Sequence, residues 1–181
     1  MDAFENVMAT ILENNGYWLQ QSVKVNLIKE DKREINKPSS PRWELDLVAY
    51  NPKVNELLVV ECKSYLDSQG VKLAEIEMED TSEGRYKLFT DKKLRGVVFN
   101  RLLTDFVERG FCLKNTRIIL ALAVGKIYQK EKSLPELEKL FNKNSWKLLD
   151  PNYIKSELRA LASRGYENDT ATIVSKILMR D

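Results

Sequence analysis

Hydrophobic and polar positions along the chain follow two different periods, and this predicts both helices and strands. Apolar residues recur at helical spacing over residues 3–14, and Asn15-Gly16 closes that pattern. Alternation with a period of two predicts a strand in SVKVNLIK, residues 22–29. The polar, proline-containing segment that follows, up to residue 42, predicts a loop.

The next two strands are spaced as a β-hairpin. WELDLVAY, from about 43 to 50, and ELLVVECKS, 56–64, are joined by the turn sequence NPKVN. The second strand is apolar on both faces until Glu61, which is typical of a strand inside a sheet. Residues 65–87 contain two glycines and an acidic cluster and predict a loop with a short helix.

Helices and strands alternate in the rest of the chain. Thr90 is predicted to cap a helix that ends at Gly110, and the apolar run 116–124 predicts a central strand covered on both faces. The remaining predicted elements are a helix over 134–143, a strand in WKLLD, a helix from Asp150-Pro151 and a helix over 169–179. The order α-β-β-β-α-β-α-β-α-α predicts an α/β fold with a mixed sheet flanked by helices.

Composition and charge are those of one globular domain. The chain has 181 residues, of which 43% are apolar and 31% charged, so it can build a core. We divide it into a core, 1–150, and a C-terminal helical extension, 151–181, of the same globular unit. A net charge of +2 permits a nucleic-acid partner but requires its basic surface to be local. No apolar segment is long enough for a membrane span and the N-terminus does not resemble a signal peptide, so we expect a cytoplasmic protein with no membrane partner.

The absence of histidine narrows the chemistry. It excludes Ser-His-Asp and Cys-His catalysis and the common zinc sites. Cys62 and Cys112 lack metal-binding spacing and are too few for a disulfide framework, which fits a reduced compartment. Catalysis would have to rely on carboxylates, lysine and a hard metal ion.

Such a set occurs at the end of the hairpin. Glu61 and Lys63 share one face of their strand, because side chains alternate along a strand. Asp46 is expected to share its face with Glu44 and Val48 in the partner strand. If the hairpin is in register, Asp46 lies beside Glu61 and Lys63 at one end of the sheet.

Two adjacent carboxylates repel each other, and a hard cation such as Mg²⁺ (or Mn²⁺) would relieve that repulsion. The backbone carbonyl of Cys62 offers a third ligand. The ion would polarise a phosphate and lower the pKa of bound water, while Lys63 positions or deprotonates that water or neutralises developing charge. The alternative interpretation of Glu-x-Lys is a surface ion pair worth roughly 0 to 1 kcal/mol.

The first helix carries a further acid at the margin of its apolar face. Glu5 falls next to Leu12 on a helical wheel and could reach the acidic end of the sheet. An equally good interpretation is that Glu5 only stabilises the helix N-terminus through the helix dipole.

Asp46, followed by Glu61-Cys62-Lys63 in apolar strands, resembles the PD-(D/E)xK nuclease superfamily. This is the restriction-endonuclease-like fold, shared by Holliday-junction resolvases and RecB-type nuclease domains. Its αβββαβ core matches the order predicted over residues 3–124, whereas residues 125–181 lie outside the resemblance.

The resemblance implies a Mg²⁺-dependent deoxyribonuclease, most simply an endonuclease. Asp46 and Glu61 would bind the metal, Lys63 would assist the attacking water, and Glu5 would join the catalytic site. Leu45 stands where the family motif often has proline. DNA is the implied partner, and RNA stays open as a substrate.

Nucleic acid requires local positive charge. The residues we predict to contact it are Arg42, Ser64, Lys92, Lys93 and Arg95. Three of these have a structural alternative: Arg95 as a partly buried residue paired with an acid, Ser64 as the end of its strand, and Arg42 as part of an ordinary solvated loop.

The alternative function is a non-catalytic nuclease-fold module that binds DNA or a protein. The modest net charge and the acidic residues between 75 and 83 favour it. The C-terminal helices offer a surface for a homodimer or a larger complex, although their apolar positions serve equally well as ordinary core.

Overall fold

A five-stranded mixed sheet forms the centre of the fold, and helices cover both of its faces. The computed structural model describes residues 2–36, 42–78 and 84–179. The strands are β1 (Trp18–Val25), β2 (Trp43–Asn51), β3 (Glu56–Lys63), β4 (Arg117–Val124) and β5 (Lys147–Leu149). The helices are α1 (Ala3–Asn14), α2 (Lys29–Glu34), α3 (Leu73–Ile76), α4 (Lys87–Thr90), α5 (Lys92–Glu108), α6 (Lys130–Lys143), α7 (Pro151–Ala162) and α8 (Thr170–Met179).

The strands lie side by side in chain order, from β1 to β5. β1 is antiparallel to β2 and β2 is antiparallel to β3, and β4 and β5 run parallel to β3. Because β3 and β4 lie inside the sheet, both of their faces are covered and both strands are apolar almost throughout. The α/β class, the hairpin and the central strand predicted from the pattern are therefore confirmed.

Each face of the sheet has its own apolar cluster. On the face covered by α1, α7 and α8, the sheet contributes residues such as Leu58 and Val60, and we call this the α1 face. On the face covered by α5 and α6, it contributes residues such as Leu57 and Val59, and we call this the α5 face. Consecutive residues of β3 thus enter opposite clusters, as the strand period requires.

Local signals fix the two ends of α1. Asp2 and Glu5 form a capping box. The Asp2 side chain accepts a hydrogen bond from a backbone N–H of the first turn, and the Glu5 side chain accepts one from the Asp2 N–H. Gly16 follows the helix with a φ of +82°, a left-handed conformation that glycine adopts without strain. The predicted helix over residues 3–14 is confirmed at both ends.

The N-terminal part of the prediction needs correction in two places. β1 begins at Trp18 and ends at Val25, four residues earlier than SVKVNLIK suggests, because the residues from Trp18 to Gln21, which do not alternate, also pair with β2. The segment predicted as a loop contains the short helix α2, which an ion pair between Asp31 and Arg101 attaches to α5.

Two helix starts also differ from the prediction. Thr90 ends α4, and the N-cap of α5 is Asp91, whose carboxylate accepts a hydrogen bond from the Leu94 N–H at 2.8 Å. Aspartate and threonine are both favoured N-cap residues, so only the observed hydrogen bond decides between Asp91 and Thr90. α6 begins at Lys130 and includes Pro135 in its interior, whereas the sequence places the proline next to the helix start.

The side-chain alternation of β2 reverses at Asp46. Leu45 and Val48 both enter the cluster of the α5 face, although an odd and an even position should face opposite ways. The β1–β2 pairing is interrupted at the same place, where Ser22 has a φ of +50°. The expectation that Asp46 shares a face with both Glu44 and Val48 is therefore wrong, because a strand cannot keep its alternation through a local kink.

None of the helices in the three described ranges is both long and apolar enough to cross a lipid bilayer.

Candidate functional site

The hairpin register brings Asp46 to the carboxyl end of β3. Leu47 pairs with Val60, so Asp46 is the next residue along and lies opposite Glu61. Regular strand pairing stops there, and the Asp46 side chain takes its place. Its Oδ2 accepts a hydrogen bond from the Cys62 N–H at 2.8 Å. This bond fixes the carboxylate at the edge of the sheet.

A polar cavity of about 500 Å³ opens at this edge. It is lined by residues from α1, β2, β3 and the segments that follow β3: Asp2, Glu5, Asp46, Cys62, Lys63, Ser64, Tyr65 and Arg85. The sequence predictions Glu5, Asp46, Lys63 and Ser64 thus meet in one cavity, although they are separated by up to 59 positions. Glu61 lies beside this cavity without lining it.

Glu61 and Lys63 form an ion pair with a distance of 2.7 Å between Oε1 and Nζ. Their side chains are only 22% and 18% exposed, so this is not the surface pair of the alternative interpretation. Burial raises the pKa of the Glu61 carboxyl; Lys63 opposes that effect and Asp46 adds to it. Burial lowers the pKa of Lys63, but the charge and hydrogen bond of Glu61 outweigh it, and the pKa is raised. Lys63 is therefore a charged donor at neutral pH.

Glu5 caps α1 and also lines the cavity, so its position is compatible with both interpretations that the sequence leaves open. Its carboxylate accepts a hydrogen bond from the Asp2 N–H at 3.4 Å within the capping box of α1. The same side chain lines the cavity that Asp46 and Lys63 line. Cys62 lies between the acids, and burial raises the pKa of its thiol, with the negative charges of Asp46 and Glu5 adding to the effect. The thiol therefore stays neutral and is a poor nucleophile.

The donor set meets the requirements of Mg²⁺ only in part. Within the described ranges, no three His, Cys, Asp or Glu side chains converge on a point where they could hold a metal ion. Mg²⁺, however, is usually held by one or two carboxylates together with waters and substrate oxygens. Asp46 and Glu61 supply two carboxylates at adjacent strand positions, although Glu61 is bound to Lys63.

The Cys62 carbonyl is oriented toward the same side of β3 as Asp46. The N–H and C=O of one strand residue point the same way, and the Cys62 N–H points to Asp46. The carbonyl of the next residue, Lys63, points the opposite way and accepts a hydrogen bond from the Gly125 N–H at 3.0 Å. By its direction, the Cys62 carbonyl fits the predicted third ligand.

The loop after β3 is fastened to the loop after β4 by backbone contacts. Val71 forms a parallel bridge with Ile127, and its N–H donates to the Lys126 carbonyl at 2.9 Å. Gly125 packs directly on the Ser64 carbonyl, leaving no space for a Cβ atom. These contacts hold the chain that follows Lys63 in a fixed position at the cavity.

Sequence reasoning missed three residues of the cavity: Asp2, which caps α1, and the pair Tyr65 and Arg85. Tyr65 has a φ of +46°, which is unusual for a residue other than glycine and turns the chain away from the strand. Arg85 lies 20 positions further along and donates from Nη1 to the Tyr65 hydroxyl at 3.3 Å. Only the position of Tyr65 directly after the Glu-x-Lys-Ser sequence could have drawn attention to this pair.

The other residues predicted to bind nucleic acid do not line this cavity. The Arg95 guanidinium donates to the carbonyls of Leu88 and Phe89 and lies 5.2 Å from the centre of the Trp146 ring. The Arg95 side chain therefore has a structural role, because it links α5 to α4 and to the segment before β5. Its partners are carbonyls and a ring, so the acid of the structural alternative is not what holds it.

Lys92 and Lys93 line a separate shallow cavity of about 440 Å³, together with Glu34 and Gly96 of α2 and α5. Arg42 is exposed directly before β2. The part of the acidic segment formed by residues 79–83 lies outside the described residues.

A larger and mostly apolar cavity, of about 580 Å³, lies between α1 and α8. It is lined by residues such as Val7, Leu158 and Val174. Two acids also line it, Glu13 near the C-terminal end of α1 and Asp169 directly before α8. This groove is the larger of the two, but none of the described residues that line it is a lysine or arginine, and none comes from the β2–β3 hairpin. The smaller cavity at Asp46 brings together carboxylates, a lysine and an arginine, and we take it as the candidate site.

Comparison with known proteins gives no family for this chain. No family model matches it, and no curated protein matches it. One solved structure, that of a protein of unknown function called AF1548, is similar over 91% of this chain and 71% of its own length, with 14% identity and a TM-score of 0.45. Similarity at that level carries no argument about activity.

Proposed function

We propose that the protein is a metal-dependent nuclease that hydrolyses phosphodiester bonds in DNA. One observation carries the proposal: Asp46 and Lys63, predicted from the sequence as catalytic residues, line one polar cavity beside the half-buried Glu61. The order of elements from α1 to β4, with an antiparallel hairpin followed by a parallel strand, is also that of the restriction-endonuclease-like core, if α2 to α4 are taken as insertions.

In this proposal each residue has a distinct task. Asp46, Glu61 and the Cys62 carbonyl would hold Mg²⁺ or Mn²⁺, which supplies an activated water and polarises the scissile phosphate. Lys63, kept charged by Glu61, orients the attacking water and neutralises charge on the phosphate. Glu5, positioned by the capping box, lines the same cavity and also orients the water.

The test is cleavage of labelled DNAs in Mg²⁺ or Mn²⁺, using single strands, duplex, flaps and four-way junctions. We expect the wild type to cleave at least one of them and Lys63→Ala and Asp46→Ala to lose the activity while remaining folded. Equal cleavage by wild type and variants would identify a contaminant and reject the proposal. RNA of the same sequences in the panel decides between the two substrates.

A specific observation favours the second candidate, a non-catalytic module with the same core. Lys63 occupies one oxygen of Glu61, and the described chain offers no ready three-ligand metal group. Calorimetric titration with Mn²⁺ separates the two candidates. Binding that depends on Asp46 supports the nuclease, and the absence of binding by the wild type supports the module.

A further inference from the structure

The cavity at Asp46 has an excess of negative charge. Three carboxylates line it, those of Asp2, Glu5 and Asp46, and a DNA phosphate adds a further negative charge. Lys63 is the first cation of the cavity, but its ammonium is already bound to Glu61 at 2.7 Å. Even with a divalent ion present, the approaching phosphate backbone requires a further cation.

Arg85 is the second cation of the cavity. Across the described ranges it forms no ion pair with any carboxylate, whereas Lys63, Arg101, Arg117 and Lys139 do. The residue is exposed, and apart from the N–H that Nη1 donates to the Tyr65 hydroxyl its guanidinium donors face solvent and can bind a ligand. A guanidinium binds phosphate oxygens with two parallel hydrogen bonds, which gives geometric specificity as well as charge.

Tyr65 holds this arginine in place. The Arg85 Cζ lies 5.9 Å from the centre of the Tyr65 ring, and Nη1 donates to the Tyr65 hydroxyl at 3.3 Å. The backbone that leads into Tyr65 is itself held in place, because the preceding Ser64 carbonyl packs on Gly125. The guanidinium is therefore supported over the cavity rather than free in solution, which lowers the entropy lost when a phosphate binds.

We propose, on the basis of the nuclease function above, that Arg85 on the Tyr65 ring is the phosphate anchor of the site. It binds a phosphate of the DNA strand that enters the cavity and positions the scissile bond between Asp46 and Lys63. Arg85 contacts substrate but takes no part in proton transfer, and Tyr65 is its positioning residue. This differs from the residues that the sequence suggested, since Lys92, Lys93 and Arg95 do not line the cavity.

Binding measured without a divalent ion tests the anchor separately from hydrolysis. The probes are a labelled duplex and its labelled single strand, followed by fluorescence anisotropy over a series of KCl concentrations. Each phosphate contact contributes about 0.9 to the salt slope for duplex and about 0.7 for a single strand. We expect Arg85→Gln to reduce the slope by that amount and to weaken binding at low salt roughly tenfold.

Arg109→Gln is the matched control. Arg109 lies over the ring of Phe111 at 4.5 Å, so it repeats the cation–aromatic arrangement after α5, away from the cavity. It should keep the wild-type slope. Arg85→Lys should also keep the slope, because it retains the charge, but should bind less tightly. Tyr65→Phe should raise KM for DNA cleavage and leave kcat nearly unchanged, as expected for a positioning residue.

The outcomes distinguish the anchor from the catalytic proposal. A reduced slope in Arg85→Gln without any cleavage by the wild type supports the anchor and rejects the nuclease. Lys63-dependent cleavage with an unchanged slope supports the nuclease and overturns the anchor. Equal loss of slope in Arg85→Gln and Arg109→Gln, or no binding of either probe by the wild type, also overturns it.

Discussion

Asp46 lies where the regular pairing of the β2–β3 hairpin ends and the polar cavity begins. Its carboxylate replaces the backbone pairing between β2 and β3, since Oδ2 accepts a hydrogen bond from the Cys62 N–H. Strand alternation reverses at the same residue. An aspartate here thus completes the sheet edge and also presents a negative charge to the cavity, and substitution can separate these two roles.

We predict that Asp46→Asn retains the wild-type stability and that Asp46→Ala does not. The asparagine oxygen still accepts the Cys62 N–H, whereas alanine leaves that partly buried donor without an acceptor, at a cost of about 1–3 kcal/mol. Urea denaturation measures the free energy of unfolding of each variant. If Asp46→Asn loses as much stability as Asp46→Ala, the hydrogen bond is not what the carboxylate contributes to the fold.

We predict that the Asp31 carboxylate makes a pH-dependent contribution to the free energy of unfolding. Burial raises its pKa, but hydrogen bonds from Arg101 and the Ile28 N–H outweigh that effect and hold the pKa below its ordinary value. A lowered pKa stabilises the fold above the ordinary aspartate pKa of about 3.9, and this stabilisation is lost as the pH falls below it.

The urea midpoints of wild type and Asp31→Asn should therefore differ most at neutral pH. The difference should shrink as the pH falls below about 4. The exposed Asp67, substituted in the same way, serves as the control and should show no comparable difference. A difference between wild type and Asp31→Asn that does not change with pH would contradict the assignment.

At the scale of elements, the loop after β3 determines the shape of the site. It returns along β4 through the bridge between Val71 and Ile127, and it rests on Gly125. None of these contacts has a sequence signal, because each joins segments about 60 positions apart. The sequence predicts a loop over 65–87, but only tertiary contacts decide that Tyr65 and Arg85 face the cavity.

We predict that Gly125→Ala destabilises the fold and that Gly96→Ala does not. A Cβ on Gly125 would clash with the Ser64 carbonyl oxygen and lie 3.1 Å from its carbon, so the backbone must shift, at a cost of about 1–3 kcal/mol. A Cβ on Gly96 meets nothing within 4 Å on the exposed side of α5, and alanine there should stabilise the helix by roughly 0.5–1 kcal/mol.

Thermal denaturation of the two variants measures both effects. DNA binding by Gly125→Ala should weaken as well, because the segment that carries Tyr65 moves. A Gly125→Ala protein as stable as Gly96→Ala would show that the loop is not held by this contact.

The sequence predicts elements best where their signals are local. The ends of α1, the hairpin and the apolar β3 and β4 follow from caps, turn residues and strand composition. β1 and α2 could not be placed in this way. The pairing partner of β1 and the Arg101 partner of α2 lie far along the chain.

For the whole molecule, the same limit applies to the site. Glu61 and Lys63 are on one strand and Asp46 is on its hairpin partner, so hairpin spacing predicts that the three lie together, although the reversed alternation at Asp46 has no sequence signal. The bonds that orient them, from the Cys62 N–H and within the ion pair, depend on side-chain geometry that no sequence pattern specifies. The site is thus predictable in its acids and lysine, and unpredictable in the arginine that we propose as its anchor.

The two helices after residue 150 pack in the same apolar cluster as the sheet, so we expect them to unfold together with it. Leu161 of α7 is 3% exposed and shares the cluster of the α1 face with Val60. Leu57 lies in the cluster of the opposite, α5 face. We predict that Leu161→Ala and Leu57→Ala each lower the free energy of unfolding by about 2–5 kcal/mol and that each variant still unfolds in a single transition. Circular dichroism and tryptophan fluorescence during urea unfolding should coincide. A separate early transition in Leu161→Ala would show that α7 and α8 unfold independently.

The most direct test of the central claim is the single-turnover rate of DNA cleavage in Mg²⁺, compared between Lys63→Ala and Lys139→Ala. Both lysines form 2.7 Å ion pairs with glutamate, but Lys139 lies on the surface of α6, away from the cavity. We predict a loss of at least about a hundredfold in Lys63→Ala, within the range for a group that acts in proton transfer or charge stabilisation, and none in Lys139→Ala. Equal rates in the two variants, or no metal-dependent cleavage by the wild type, would contradict the claim.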